Sequence, residues 1–154
     1  MKNNSKNMSI IILIILFVSI NIWQLKPFLY PKVIEDYDMY SWDNSINFDI
    51  ECEQSKMKIV IDGWAFIPNE IISTYDIKVC LNKDGKQYVM KTDMVVRDDV
   101  REYFNLNREQ RVQYSGYHAA AYKFNIPSGK YAIVLLYCNN GVKRKIDTGR
   151  YVEI

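Results

Sequence analysis

The stretch 8–25, MSIIILIILFVSINIWQL, carries no charged side chain, and nine consecutive apolar residues run from Ile10 to Val18. Eighteen residues of α-helix rise about 27 Å, close to the thickness of a bilayer's hydrocarbon core, and Trp23 would then sit near the headgroups. Whatever folds in water must therefore be built from the residues that follow. Lys2 and Lys6 in front of the run also fit a cleaved secretory signal. Cleavage needs small residues, yet the first 62 positions hold neither Ala nor Gly, and Ser19 with Asn21 is a poor substitute. A lipoprotein anchor would place a Cys directly behind the run, and the first is Cys52. The segment reads as a retained transmembrane signal anchor at 8–25. Flanking lysines nearly balance, Lys2 and Lys6 against Lys26 and Lys32, so orientation rests on the short N-terminus. It leaves 1–7 cytoplasmic and exports the rest, giving a single-pass protein of the cell membrane with an extracytoplasmic C-terminal domain.

Behind the anchor, 26–45 has two prolines and no steady periodicity and reads as a spacer, with Phe28, Tyr30, Tyr37, Tyr40 and Trp42 making it unusually aromatic. Residues 46–154 suit one domain. Of the 20 basic side chains only Lys2 and Lys6 precede the run, so 18 basic face 18 acidic residues in the exported part. A neutral chain without a basic stripe lacks the phosphate-neutralising surface that nucleic-acid binding needs, which argues against that class.

Period-2 alternation dominates this region, and no window shows a sustained helical repeat. A first strand at 46–53 places Ile46, Phe48, Ile50 and Cys52 on one face. A second, 56–67, has Met57, Ile59 and Ile61 on one face until Asp62-Gly63, where the apolar set moves to Trp64 and Phe66, suggesting a bulge. Asp84-Gly85 favours a type I′ hairpin that pairs Leu81 with Tyr88 and Val79 with Met90. Tyr88, Met90, Met94 and Val96 then share the face of Ile77, Val79 and Leu81. After a break at 97–116, where Asp99 to Glu102 resembles a capping box with Val100 and Phe104 facing inward, a fifth strand starts at Tyr117. It puts Ala120, Tyr122, Phe124 and Ile126 on one face. YAIVLLYC, 131–138, is apolar on both parities, as a central strand covered on both sides requires. Asn140-Gly141 turns into a last strand, 142–153, whose Lys143, Arg144 and Lys145 mark a solvated edge. Seven short strands point to an all-β, seven-stranded antiparallel immunoglobulin-like sandwich preceded by one N-terminal transmembrane helix.

Gly63-Trp64-Ala65-Phe66, then Arg97-x-Asp99-Val100 with Phe104, then Ser115-Gly116-Tyr117 and Gly129-x-Tyr131 follow one another in the order found in a known family. Over about 57–137 the chain resembles the immunoglobulin-like modules appended to bacterial envelope glycosyltransferases and polysaccharide-synthesis proteins. The resemblance implies an immunoglobulin-like fold and work at the cell envelope, and it carries over no catalytic residue.

Chemistry-bearing residues are sparse. His118 is the sole histidine, Ser115 lies three residues away, and no G-x-S-x-G elbow occurs, so no catalytic residue is assigned and the chain reads as a non-enzyme. Cys52, Cys80 and Cys138 are too scattered for a zinc site, and the acids at Asp98, Asp99 and Glu102 have a helix-start explanation, so no cofactor or metal is expected. Free thiols are expected, with Cys80 and Cys138 the pair that would face each other in a disulfide. The candidate binding surface is the 97–116 loop with exposed aromatics: Trp42, Arg97, Asp99, Tyr103, Arg108, Tyr114 and Tyr117. Expected partners are the membrane through 8–25 and an envelope protein or a glycan. The functional expectation is a non-catalytic binding or structural module, or alternatively a carbohydrate-binding module serving cell-wall or capsular polysaccharide synthesis or attachment.

Overall fold

The computed structural model describes Met8 and residues 11–21, 32–34 and 36–154. It contains two sheets packed face to face, a β-sandwich. Chain order gives β1 (Lys32–Val33), β2 (Ser41–Trp42), β3 (Asn47–Gln54), β4 (Lys58–Phe66), β5 (Tyr75–Lys83), β6 (Lys86–Val89), β7 (Lys91–Val95), β8 (Gly116–Tyr122), β9 (Lys130–Asn139) and β10 (Val142–Glu153). One sheet has the order β1-β6-β5-β9-β10-β2, the other β3-β4-β8-β7. The strands exceed the expected seven for two reasons. The fourth predicted strand divides into β6 and β7, which belong to different sheets, and two-residue strands from the presumed spacer pair at both edges of the larger sheet.

Both predicted hairpins form. Asp84 and Gly85, and likewise Asn140 and Gly141, adopt positive φ, as type I′ turns require, and Leu81 pairs with Tyr88 while Met90 N donates to Val79 O. At Met90 the chain then leaves one sheet for the other. Thr92 Oγ1 fills the gap, accepting from Val79 N at 3.2 Å and donating to Met90 O at 3.1 Å. The switch corrects the expected face: Met90 is buried, but Met94 and Val96 are exposed.

The main core lies between the sheets, with Ile59, Ile61 and Ala65 from β4, Ile77, Val79 and Leu81 from β5, and Tyr131, Ile133, Leu135 and Tyr137 from β9. Two expectations fail here. The register of β4 against β3 and β8 runs unbroken through Gly63, so there is no bulge. Gly63 is instead small because a Cβ would lie 2.6 Å from Tyr117 Oη and 2.2 Å from Asp49 O. The inward face of β8 is Tyr117, Ala119 and Ala121, opposite in parity to the expected Ala120, Tyr122 and Phe124, and Phe124 is exposed. A 3₁₀ turn at Lys123–Asn125 resets the parity, so that Ile126 is buried.

β9 is covered on both sides, as its sequence demands. Its outer residues Val134 and Leu136 form, with Cys80, a second cluster under Tyr37 and Tyr40. Residues 32–34 and 36–42 therefore form a strap across the outer face of the larger sheet, antiparallel to β6 at β1 and parallel to β10 at β2. The run Lys143, Arg144, Lys145 is consequently not a solvated edge. Lys143 Nζ bonds Asp36 at 2.9 Å, Arg144 pairs with Asp43 at 3.2 Å and Glu70 at 3.0 Å, and Lys145, 5% exposed, donates to Tyr37 O at 3.0 Å. Lys145 Nζ also stands 3.8 Å from the centre of the Tyr37 ring and 5.0 Å from that of Trp42, so a buried cation is compensated by a carbonyl dipole and by ring quadrupoles.

Residues 11–21 are helical, and their side chains are exposed. Among the described residues no helix is long and apolar enough to cross a membrane, and the stretch 8–25 lies in part outside them.

Candidate binding groove

The break at 97–116 folds as the short helix Asp98–Tyr103 followed by 3₁₀ turns at Arg108–Gln110 and Val112–Tyr114. The expected capping box is absent: the helix starts two residues earlier, with Arg97 at the N-cap in place of Asp99 and no side-chain cap bond. Asp99 instead accepts both arms of the Arg97 guanidinium, at 2.8 and 2.7 Å, and this holds the Asp99 carboxyl below its usual range. The Arg97 stem runs over Gly116, where a Cβ would lie 2.4 Å from Arg97 Cγ, so the Gly is what lets the segment lie flat on β8.

Val100 and Phe104 do face inward, as their spacing predicts, and join Phe66, Ile72 and Val112 in a third cluster with Trp64. Ring centres of Trp64 and Phe104 are 5.3 Å apart at 76°, and those of Phe66 and Phe104 are 5.2 Å apart at 77°, both edge-to-face. The helix is thus seated on the outer face of the smaller sheet by aromatic contacts.

Between helix and sheet lies a groove of about 540 Å³, walled by Phe48, Asp49 and Trp64 on one side and Asp99, Tyr103 and Phe104 on the other. Tyr103 is 84% exposed and meets Phe104 edge-on, 5.0 Å between centres. The nominated surface residues divide around it. Asp99 and Tyr103 line the groove, and Arg97 fixes Asp99. Arg108 is exposed farther along the loop. Tyr114 borders a smaller cleft with Met94, Val95 and Arg111, and its ring lies 5.2 Å from the Arg111 guanidinium. Trp42 is on β2, at the edge of the other sheet. Tyr117 is a correction: it is 1% exposed, a core residue against Gly63, because β8 has the opposite parity to that expected.

Asp49, Trp64 and Phe48 were missed. Asp49 pairs across strands with Trp64, so both point outward from β3 and β4, a juxtaposition that only the register reveals. Beside the groove, the same face carries Glu51, Asp62, His118 and Asp93 in one cross-strand row. His118 Nδ1 lies 2.6 Å from Asp62 Oδ1. Ser115, the residue that ends the Val112–Tyr114 turn, is fully buried, whereas the half-exposed His118 ring is engaged by Asp62. The cysteines are free, and burial pushes the Cys80 thiol up to about 12. Among the described residues no three His, Cys, Asp or Glu side chains are placed to hold a metal ion. Compared with protein-family models, with curated proteins and with solved structures, the chain finds no match in any of the three.

Proposed function

We propose that the chain is a non-catalytic binding or structural module of the bacterial cell envelope, of immunoglobulin-like type, anchored through 8–25 and displayed on the extracytoplasmic side. Strand order supports the type: β3-β4-β8-β7 corresponds to the A-B-E-D sheet of that fold, and β6-β5-β9-β10 to its C′-C-F-G sheet. The anchor is supported by residues 11–21, which are helical with apolar side chains uncovered all round the axis. The observation that carries the binding role is the groove, since aromatic walls with carboxylates on a rigid sheet are the usual make-up of a recognition site.

A photo-crosslinking amino acid at Tyr103 tests this in cells, with Met39 on the strap, 66% exposed, as the control. A discrete partner captured from Tyr103 and absent from Met39 is the expected result; identical or empty patterns from both would overturn the proposal. The single exposed ring of Tyr103 at the rim favours the second reading, a carbohydrate-binding module serving wall or capsular polysaccharide. Wall-polysaccharide pull-down is then expected to fall with Tyr103→Ala and to ignore Trp42→Ala, while insensitivity to Tyr103→Ala would count against it.

A further inference from the structure

We infer that the groove between β4 and the helix Asp98–Tyr103 accepts an alkylammonium group, surrounded by aromatic rings and countered by Asp49. This rests on the binding-module reading and adds the chemistry of the ligand.

Ring geometry is the first reason. Trp64 and Phe104 meet at 76°, and Tyr103 and Phe104 at 83°. Rings set nearly at right angles make the corners of a box rather than one flat platform. A sugar ring stacks best on a flat platform, whereas a compact tetrahedral cation is attracted to several ring faces at once. The groove's volume of about 540 Å³ admits such a group with a substituent attached.

Charge is the second reason. Two carboxylates line the groove, but Asp99 is already matched by the two-armed bond from Arg97. Asp49 accepts one hydrogen bond, from Ile50 N at 2.9 Å, and among the described residues it enters no ion pair of 4 Å or less. Glu51 follows it on the same outward face, next to Asp62. Asp49 is itself exposed and lies in the field of Arg97, but Asp49, Asp99 and Glu51 outnumber that one guanidinium, so the site repels an anionic ligand and is complemented by a cation.

The test titrates the full-length, ¹⁵N-labelled chain in non-ionic micelles while following the Trp64 indole N–H, assigned by its loss in Trp64→Phe. Choline is compared with 3,3-dimethylbutan-1-ol, its neutral isostere, and glucosamine with glucose, which separates a quaternary ammonium headgroup from an amino sugar as the source of the cation. Saturable shifts are expected from at least one cation, with its neutral counterpart roughly tenfold weaker, and Asp49→Asn is expected to weaken the cation by a similar factor. Equal binding of cation and neutral isostere, indifference to Asp49→Asn, or no shift from either cation would each overturn the inference. A partner crosslinked at Tyr103 despite such a result would leave the module reading standing and remove only the cation.

Discussion

The two outer faces of this sandwich are treated in opposite ways. On the larger sheet, β9 carries Val134 and Leu136 outward, and the strap buries them beneath Tyr37 and Tyr40. On the smaller sheet, the equivalent face presents Asp49, Glu51, Asp62, His118 and Asp93 beside a half-buried Val60, and its buried apolar cluster is confined to the end beneath the helix. The contrast teaches that a strand apolar on both parities, as β9 is, needs a cover from elsewhere in the chain, and that a strand polar on one parity leaves its sheet open for contact.

The sharpest way to break that comparison is to truncate both faces. Leu136→Ala, beneath the strap, is expected to cost about 3 kcal/mol in urea denaturation, and Val60→Ala on the open face under about 1 kcal/mol. Equal losses would mean that the strap is not a structural layer. Next in size is Lys145→Ala, expected to cost about 2 kcal/mol, because the Tyr37 carbonyl loses its donor and the ring its cation. Tyr37→Phe sharpens the point: the Tyr37 hydroxyl is buried with no hydrogen-bond partner among the described residues, so its removal is expected to change stability by less than about 0.5 kcal/mol.

Acid acts on the strap as well. The Lys143 ammonium holds the Asp36 carboxyl below its ordinary range. Burial alone would raise Glu70, but hydrogen bonds from Tyr137, Arg144 and Asn139 outweigh it and hold that carboxyl low. Both groups are depressed, so their contribution is complete above the ordinary carboxylate range and is lost as pH falls through the lower folded-state values. Hydrogen exchange at the Ile34 and Asp43 amides, which donate to Gln87 and Lys145, is expected to accelerate there, relative to opening of the whole domain. The smallest effect belongs to the open face. His118→Ala breaks a half-exposed pair with Asp62, and its thermal midpoint is expected to move by no more than about 2 °C.

Where sequence pattern and local chemistry coincide, the fold was legible. The Asp84-Gly85 and Asn140-Gly141 turns set their hairpins, and the doubled apolar parity of 131–138 marked the central strand. Parity failed at β8, because Ala119, Ala120 and Ala121 offer no contrast between faces. At Gly63 a long-range cause, the Tyr117 ring, resembled a local bulge. Lys145 was read as solvated because its compensating rings lie over one hundred residues earlier in the chain. Of the groove, Tyr103 and Asp99 were legible as loop residues on a scaffold, whereas Asp49 and Trp64 required the β3–β4 register.

The strap has a mechanical consequence. Among the described residues its N-terminal end is held to the sheet by Lys32 with Val89, Val33 with Tyr88 and the Ile34 amide on Gln87 O, and its far end by the short parallel contact at Ser41 and Trp42 and the Asp43 amide on Lys145 O. Tension entering from the N-terminal side therefore peels these attachments in succession before it loads β3, and the slack released is the difference between the segment's extended length, about 50 Å for fifteen residues, and the distance it already spans across the sheet. The larger sheet would act as a reel, letting out line under a tug on the side of the sandwich away from the groove.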